Sequence, residues 1–154
     1  MIEQGMKAPD FSLPDSEGKT WTLGELCGGS GKPGCILYFY PRDDTPGCTV
    51  EACSFRDNFG EFAERGIRVV GVSPDSPAAH AKFKAKYSLP FILLSDPEKQ
   101  VLVAYGAYGE KMMYGKKVMG VIRSTFIIGG DGIVVKVFPK VTPADHATKI
   151  LEGL

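Results

Sequence analysis

At 154 residues, with 44% hydrophobic and 23% charged side chains, the chain can bury one sizeable core and is composed like an ordinary globular protein. Eighteen Lys and Arg balance eighteen Asp and Glu, which argues against nucleic acid or an anionic membrane surface as the main partner. Four cysteines are too few for a disulfide scaffold, no apolar run reaches membrane-spanning length, and the N-terminus lacks a basic-then-apolar secretory pattern, so one domain over residues 1–154 in the cytoplasm is expected.

The first clear element is the apolar run Ile36 to Tyr40, the pattern of a strand buried on both faces. Before it, Gly28 to Gly34 reads as a glycine-rich surface insert flanked by Cys27 and Cys35. After it, a helix opens at Cys48 and sets Phe55, Phe59, Phe62 and Ala63 on one face, with Gly66 as its end signal. Ile67 to Val72 reads as the next strand. Ser76-Pro77 starts a helix with Ala79, Phe83 and Tyr87 inward. Phe91 to Leu94 is a short strand, Asp96-Pro97 starts a helix that Gly106 closes, and residues 107 to 117 read as a loop. Ser124 to Ile128 and Ile133 to Phe138 are strands joined by Gly129-Gly130-Asp131-Gly132, a hairpin. Thr142-Pro143 starts a last helix with Ala147, Ile150, Leu151 and Leu154 on one face. This βαβαβα order followed by a hairpin and a helix is α/β with a mixed sheet flanked by helices.

Chemistry concentrates at Cys48. It closes Pro41-Arg42-Asp43-Asp44-Thr45-Pro46-Gly47-Cys48, a loop leaving the end of a buried strand, and stands at a helix N-terminus. Unpaired N–H groups and the positive end of the dipole favour the reactive thiolate there. Cys53 lies five residues on in the same helix. Together they point to redox or nucleophilic chemistry. No CxxC pair and no zinc-type Cys/His spacing occurs. Cys35 reads as an inert core residue, Cys27 as an exposed one, and a disulfide between them is possible in length but not required. His80 and His146 read as solvated helix residues. Met112-Met113-Tyr114 reads as loop packing, with the edge of a substrate pocket as the alternative.

The chain resembles the peroxiredoxins, and within them the bacterioferritin comigratory protein or peroxiredoxin Q group, nearly end to end. The Pro-x-x-x-Thr-x-x-Cys signature stands as Pro41, Thr45 and Cys48. Its longer form runs without a gap from Phe39 to Cys53, and Ile122-Arg123-Ser124-Thr125-Phe126 matches the strand bearing the family's arginine. The segment from Cys27 to Cys35 is longer than is common in the group. The resemblance implies a thioredoxin-like fold and a thiol-dependent peroxidase acting on hydrogen peroxide and organic hydroperoxides. Sulfur carries the redox change, so no cofactor or metal is expected. Thioredoxin or glutaredoxin is expected as reductant, and a monomer as the working form, with a weak dimer through the active-site face as the alternative.

By the same resemblance, Cys48 is the peroxidatic cysteine, oxidised to sulfenic acid. Arg123 stabilises the thiolate and the oxygens during O–O cleavage. Thr45 places its hydroxyl beside the sulfur, accepting from peroxide or donating to the thiolate. Pro41 shields the site, and Glu51 plays a supporting role in the first turn. Cys53 is the resolving cysteine; the alternative is a small core residue with an external thiol resolving instead. On an intact helix, residues five apart lie ~8.5 Å between Cα atoms with side chains ~140° apart, beyond the ~7 Å a disulfide allows. A Cys48–Cys53 bond therefore requires the first turns to unwind. Two other functions compete: a thiol–disulfide oxidoreductase, against which the missing CxxC and the Thr-x-x-Cys loop argue, and a non-enzymatic redox sensor or holdase.

Overall fold

The structure, a computed structural model, describes residues 1–29 and 32–154; positions 30 and 31, in the middle of the insert read as a surface loop, lie outside the described residues. In chain order the elements are β1 Ser12–Pro14, β2 Thr20–Thr22, α1 Leu23–Cys27, β3 Cys35–Phe39, α2 Pro46–Asp57, α3 Phe59–Glu64, β4 Arg68–Ser73, α4 Pro77–Tyr87, β5 Ile92–Ser95, α5 Gln100–Tyr105, β6 Tyr108–Met113, β7 Lys116–Val121, β8 Ser124–Ile128, β9 Val134–Phe138 and α6 His146–Glu152.

The continuous apolar run becomes β3, the middle strand of a five-stranded sheet ordered β5-β4-β3-β8-β9. β4 and β5 run parallel to it, while β8 pairs antiparallel to β3 and β9 antiparallel to β8, so the sheet is mixed as expected. Alternation along β3 supplies both cores. Cys35, Leu37 and Phe39 face Leu23 and Leu26 of α1, Leu102 and Tyr105 of α5, and Phe126. Ile36, Tyr38 and Tyr40 face Cys48, Ala52 and Phe55 of α2, Phe83 of α4 and Ile150 of α6. Tyr38 stacks on Phe55 at 4.6 Å between ring centroids, which fixes the last turn of α2 to the sheet. Burying a ring of that size is worth about 1.5–3 kcal/mol.

Register places the site. Phe39 at the end of β3 pairs with Ser124 at the start of β8. Because the two strands are antiparallel, residue 123 falls beside the point where the chain leaves β3 for the Pro41–Thr45 loop. The site thus forms at the carboxyl end of a central strand, where open α/β sheets place their ligands.

Several boundaries differ from expectation. The helix after β3 starts at Pro46 and breaks at Asn58, whose side-chain amide donates to the Ser54 carbonyl (2.8 Å) and ends α2. Beyond the break Phe62 stays fully buried while Ala63 faces solvent. Gly66, at φ 71°, ends α3 as expected, with Ile67 N–H donating to the Phe62 carbonyl (3.0 Å). Asp96 does not start a helix: its carboxylate accepts from Leu102 N–H (2.9 Å), and α5 begins only at Gln100. α6 begins at His146 rather than after Thr142, and Leu154 lies past its end and is exposed. Residues 107 to 117 are not a loop. Tyr114 and Gly115, at φ 51° and 77°, form the two-residue turn of the β6–β7 hairpin, in the left-handed pair that matches strand twist. The N-terminal hairpin and α1, unread in the sequence, rest on a capping box in which Thr22 Oγ1 accepts from Glu25 N–H (3.2 Å) and Glu25 accepts from Thr22 N–H (3.0 Å).

Candidate active site

Cys48 is the third residue of α2 and only 1% exposed. Thr49 N–H, donating to the Thr45 carbonyl (2.8 Å), is the bond that closes the first turn beneath it. Arg123 reaches Cys48 from the loop before β8. Its Nη2 donates to Sγ at 3.2 Å, and its Nη1 donates to Glu51 Oε1 at 2.7 Å. One guanidinium therefore bridges a sulfur and a carboxylate one helical turn apart on the same face of α2. Glu51 is fully buried, and its Oε2 has no partner. Desolvation outweighs the pull of Arg123 and pushes the Glu51 carboxyl up to about 7. For Arg123, burial works against the charge, but Glu51 and the sulfur prevail and hold it above its usual range.

Gly47 leaves room for this arrangement. A Cβ there would meet Arg123 Nη2 at 3.2 Å and Pro143 Cγ at 3.5 Å. Thr45 sits at the N-cap of α2 in extended backbone, yet its hydroxyl does not cap the helix; it donates to the Arg42 carbonyl (2.8 Å). With that hydrogen committed, the oxygen can accept but does not donate to sulfur. Pro41 is half-buried and lines a cavity of about 570 Å³ with Arg123, Ile122, Val121, Met112 and Met113. The two methionines belong to the β6–β7 hairpin and line this cavity, while Tyr114 is 98% exposed at the turn. Cys53 is half-buried on the same unbroken helix and lines a different cavity with Val50, Asp57 and Asp145. All four cysteines are free thiols, and Cys27, expected to be exposed, is buried at the end of α1.

Cys48, Arg123, Pro41 and Thr45 thus converge on one end of β3, and Cys53 does not reach Cys48. Both histidines correct the sequence reading: neither is a solvated surface residue. His146 is buried between the Phe55 and Phe138 rings, its Nε2 2.8 Å from Thr125 Oγ1. Burial pushes it down to about 4, with Lys149 and Arg123 adding to the effect. His80 is fully buried and braces the active-site loop. Its Nδ1 meets Asp43 Oδ2 at 2.7 Å and its Nε2 meets the Leu94 carbonyl at 3.0 Å. The carbonyl takes the Nε2–H, and the His80–Asp43 contact holds a further proton. Tyr40 donates to Asp43 Oδ1 (2.6 Å), and Asp43 N–H donates to Asp75 Oδ2 (2.8 Å). Two signals for these contacts are present in the sequence. Glu51 stands at i+3 from Cys48, on the inward face. His80 shares its helical face with Phe83 and Tyr87.

A model described as the AhpC/TSA family matches residues 4–137 of the chain. Peroxiredoxin Bcp of Bacillus subtilis is 45% identical over 153 residues, covering 99% of this chain and 95% of that protein. The crystal structure of peroxidoxin BcpB from Mycobacterium tuberculosis superposes with a TM-score of 0.85 at 37% identity, over 99% of this chain and 96% of that one. A structure of Xanthomonas campestris bacterioferritin comigratory protein, described for its alkyl peroxide reduction activity, superposes at 0.84 with 38% identity, over 93% and 88%.

Proposed function

The chain belongs to the AhpC/TSA family and is a thiol-dependent peroxidase of the Bcp and PrxQ peroxiredoxin kind, and on that premise we propose that Cys48 is the peroxidatic cysteine, Arg123 its electrostatic partner and Cys53 its resolving thiol. The observation that carries the proposal is the 3.2 Å contact from Arg123 Nη2 to the Cys48 sulfur.

Peroxide enters the cavity lined by Pro41 and Arg123. The Cys48 thiolate attacks one oxygen, an S–O bond forms and the O–O bond breaks. Charge on the departing oxygen meets the Arg123 guanidinium, a fixed donor that needs no reorganisation. Thr45 Oγ1, whose hydrogen is held by Arg42, accepts from the peroxide O–H and orients it. Pro41 adds no N–H and walls the sulfur from water.

The sulfenic acid then condenses with Cys53, releasing water. The start of α2 is suited to the unwinding this needs. Thr45 does not cap it, no acidic residue lies in its first turn, and Gly47, Thr49 and Val50 are weak helix formers. Thioredoxin or glutaredoxin reopens the disulfide. The enzyme works as a single-domain monomer in the cytoplasm on hydrogen peroxide and organic hydroperoxides; the largely apolar cavity against Arg123 and Pro41 suits the latter. Stopped-flow reaction of the reduced protein with peroxide tests the assignment. Cys48→Ser should abolish the fast phase, and a fast phase that persists in that variant with Cys53 intact removes Cys48 from its role.

A further inference from the structure

At the opposite end of β3 from Cys48, the other two cysteines meet. Cys27 is the last residue of α1 and Cys35 the first of β3, and their sulfurs lie 3.3 Å apart, both buried, sharing one hydrogen. We propose that Cys27 and Cys35 form a second redox pair, a buried dithiol that hydroperoxide closes to an intramolecular disulfide independently of Cys48.

The chain is built to bring them together. Cys35 is fixed in the sheet, paired with Arg68 on one side and Ile128 on the other. Gly34, just before it, has φ 99°, and a Cβ there would fall on the Ile128 carbonyl. Only glycine allows this tight re-entry into β3, and re-entry is what returns the strand to the end of α1. A disulfide bond is about 2.05 Å long, so closure moves the sulfurs by little more than an ångström and needs no helix to unwind. That contrasts with Cys48 and Cys53, which an intact helix holds apart.

The two thiols are not equivalent. The hydrogen bond from Cys35 draws the Cys27 thiol below its ordinary range, although burial, Asp131 and Asp10 oppose this. Giving that bond, together with burial, pushes Cys35 well up. Cys27 also lines a cavity of about 200 Å³, with Lys7, Asp10, Leu23, Gly24 and Gly130 among its walls. Cys27 is therefore the sulfur that attacks and Cys35 the one that resolves. In the first step the Cys27 thiolate takes the terminal oxygen of ROOH: S–O forms, O–O breaks, and RO⁻ leaves as ROH after taking a proton. In the second, the Cys35 sulfur, giving up its proton, attacks the Cys27 sulfenic sulfur: S–S forms, S–O breaks and water leaves. The dithiol loses two electrons and two protons, and ROOH becomes ROH and water.

The test uses the full chain with Cys48→Ser and Cys53→Ser, which leaves only this pair. After peroxide, intact mass should fall by two hydrogens, mapping should link peptides containing Cys27 and Cys35, no thiol should remain to alkylate, and dithiothreitol should reverse all three. Adding Cys35→Ala should leave Cys27 as sulfenic or sulfinic acid; adding Cys27→Ser should leave Cys35 a free thiol. In the otherwise unchanged chain, peroxide should produce the same link beside any Cys48 product, so the result survives poor folding of the double variant and is separable from the Cys48 assignment. Two alkylatable thiols after exposure that fully oxidises an ordinary free cysteine would overturn the proposal, as would sulfinic acids at both positions without a link.

Discussion

Arg123 touches Cys48 with one arm of its fork and Glu51 with the other, at 3.2 and 2.7 Å, so the charge that serves the sulfur is shared with a buried carboxylate. On the proposed mechanism, Arg123→Ala removes that charge where O–O cleavage needs it. The second-order rate of Cys48 oxidation should fall about 10²–10³-fold, the usual loss for one preorganised donor. Arg123→Lys should recover part of it, because a point charge remains but the fork that holds Glu51 and sulfur together is lost. Stopped-flow fluorescence or mass-detected sulfenic acid trapping gives both rates; an alanine variant at the parent rate removes Arg123 from the mechanism.

Glu51 makes the shared charge depend on pH. Its carboxyl stands at about 7 in the folded protein against 4.5 as the ordinary value. Between these values the folded state holds the extra proton, so this group's contribution to stability falls as pH rises through the window and is flat below it. Glu51→Gln keeps an oxygen for Arg123 Nη1 and removes the titration. The urea midpoint of the parent relative to Glu51→Gln should therefore decline from about pH 5 to about pH 8. A constant difference across that range contradicts the assigned ionisation.

His146 gives the opposite slope. Its folded value of about 4 lies below the ordinary 6.5, so the unfolded chain binds the proton first and stability is lost as pH falls between the two. A shift of that size corresponds to a loss of about 3 kcal/mol. His146→Gln should flatten the parent's decline between about pH 6.5 and about pH 4. Thermal unfolding at several pH values reads it, and a variant that declines as steeply as the parent moves the acid sensitivity elsewhere.

His80 tests how the active-site loop is held. His80→Leu removes one partner of the Asp43 carboxylate, 6% exposed, and leaves it the Tyr40 hydroxyl alone, a loss of up to about 3–5 kcal/mol for a broken buried pair. Combining it with Asp43→Asn removes the stranded charge and should restore much of that. Hydrogen exchange should quicken over residues 41 to 49 in His80→Leu while the middle of β3 stays protected. Equal loss of protection throughout the sheet would make His80 a general core residue rather than a brace for the loop.

The parts legible in the sequence are those with one dominant cause. The run Ile36 to Tyr40 could only be a buried strand, and the Thr-Pro-Gly-Cys loop after it marked Cys48. Arg123 was legible only through the family resemblance, because nothing local joins it to residue 48; the Phe39–Ser124 register does. His80 and His146 were misread because a histidine's burial depends on partners from other elements, here Asp43, Leu94 and Thr125. The β6–β7 hairpin was hidden because its strands are short of buried residues and alternate weakly, leaving only the Tyr114-Gly115 turn as a signal.

Oxidation should rearrange α2 and stop at a definable point. A bond between Cys48 and Cys53 cannot close on the intact helix, so the weak first turns must open. Phe55, fully buried and stacked on Tyr38, holds the next turn, and α3 has its own start at Asn58 and its own end at Gly66. In the disulfide form, amide exchange should therefore rise over residues 45 to 55 and stay slow beyond about residue 60. On the proposed mechanism the opened segment presents the disulfide to the reductant's thiolate, so the unwinding serves turnover as well as bond formation. In Cys53→Ser, Cys48 should still take up one peroxide oxygen, then remain at sulfenic acid and advance to sulfinic acid more readily than in the parent. Peptide mapping that links Cys48 to Cys27 or Cys35, or an oxidised protein whose helix start stays protected, would remove Cys53 as the resolving thiol.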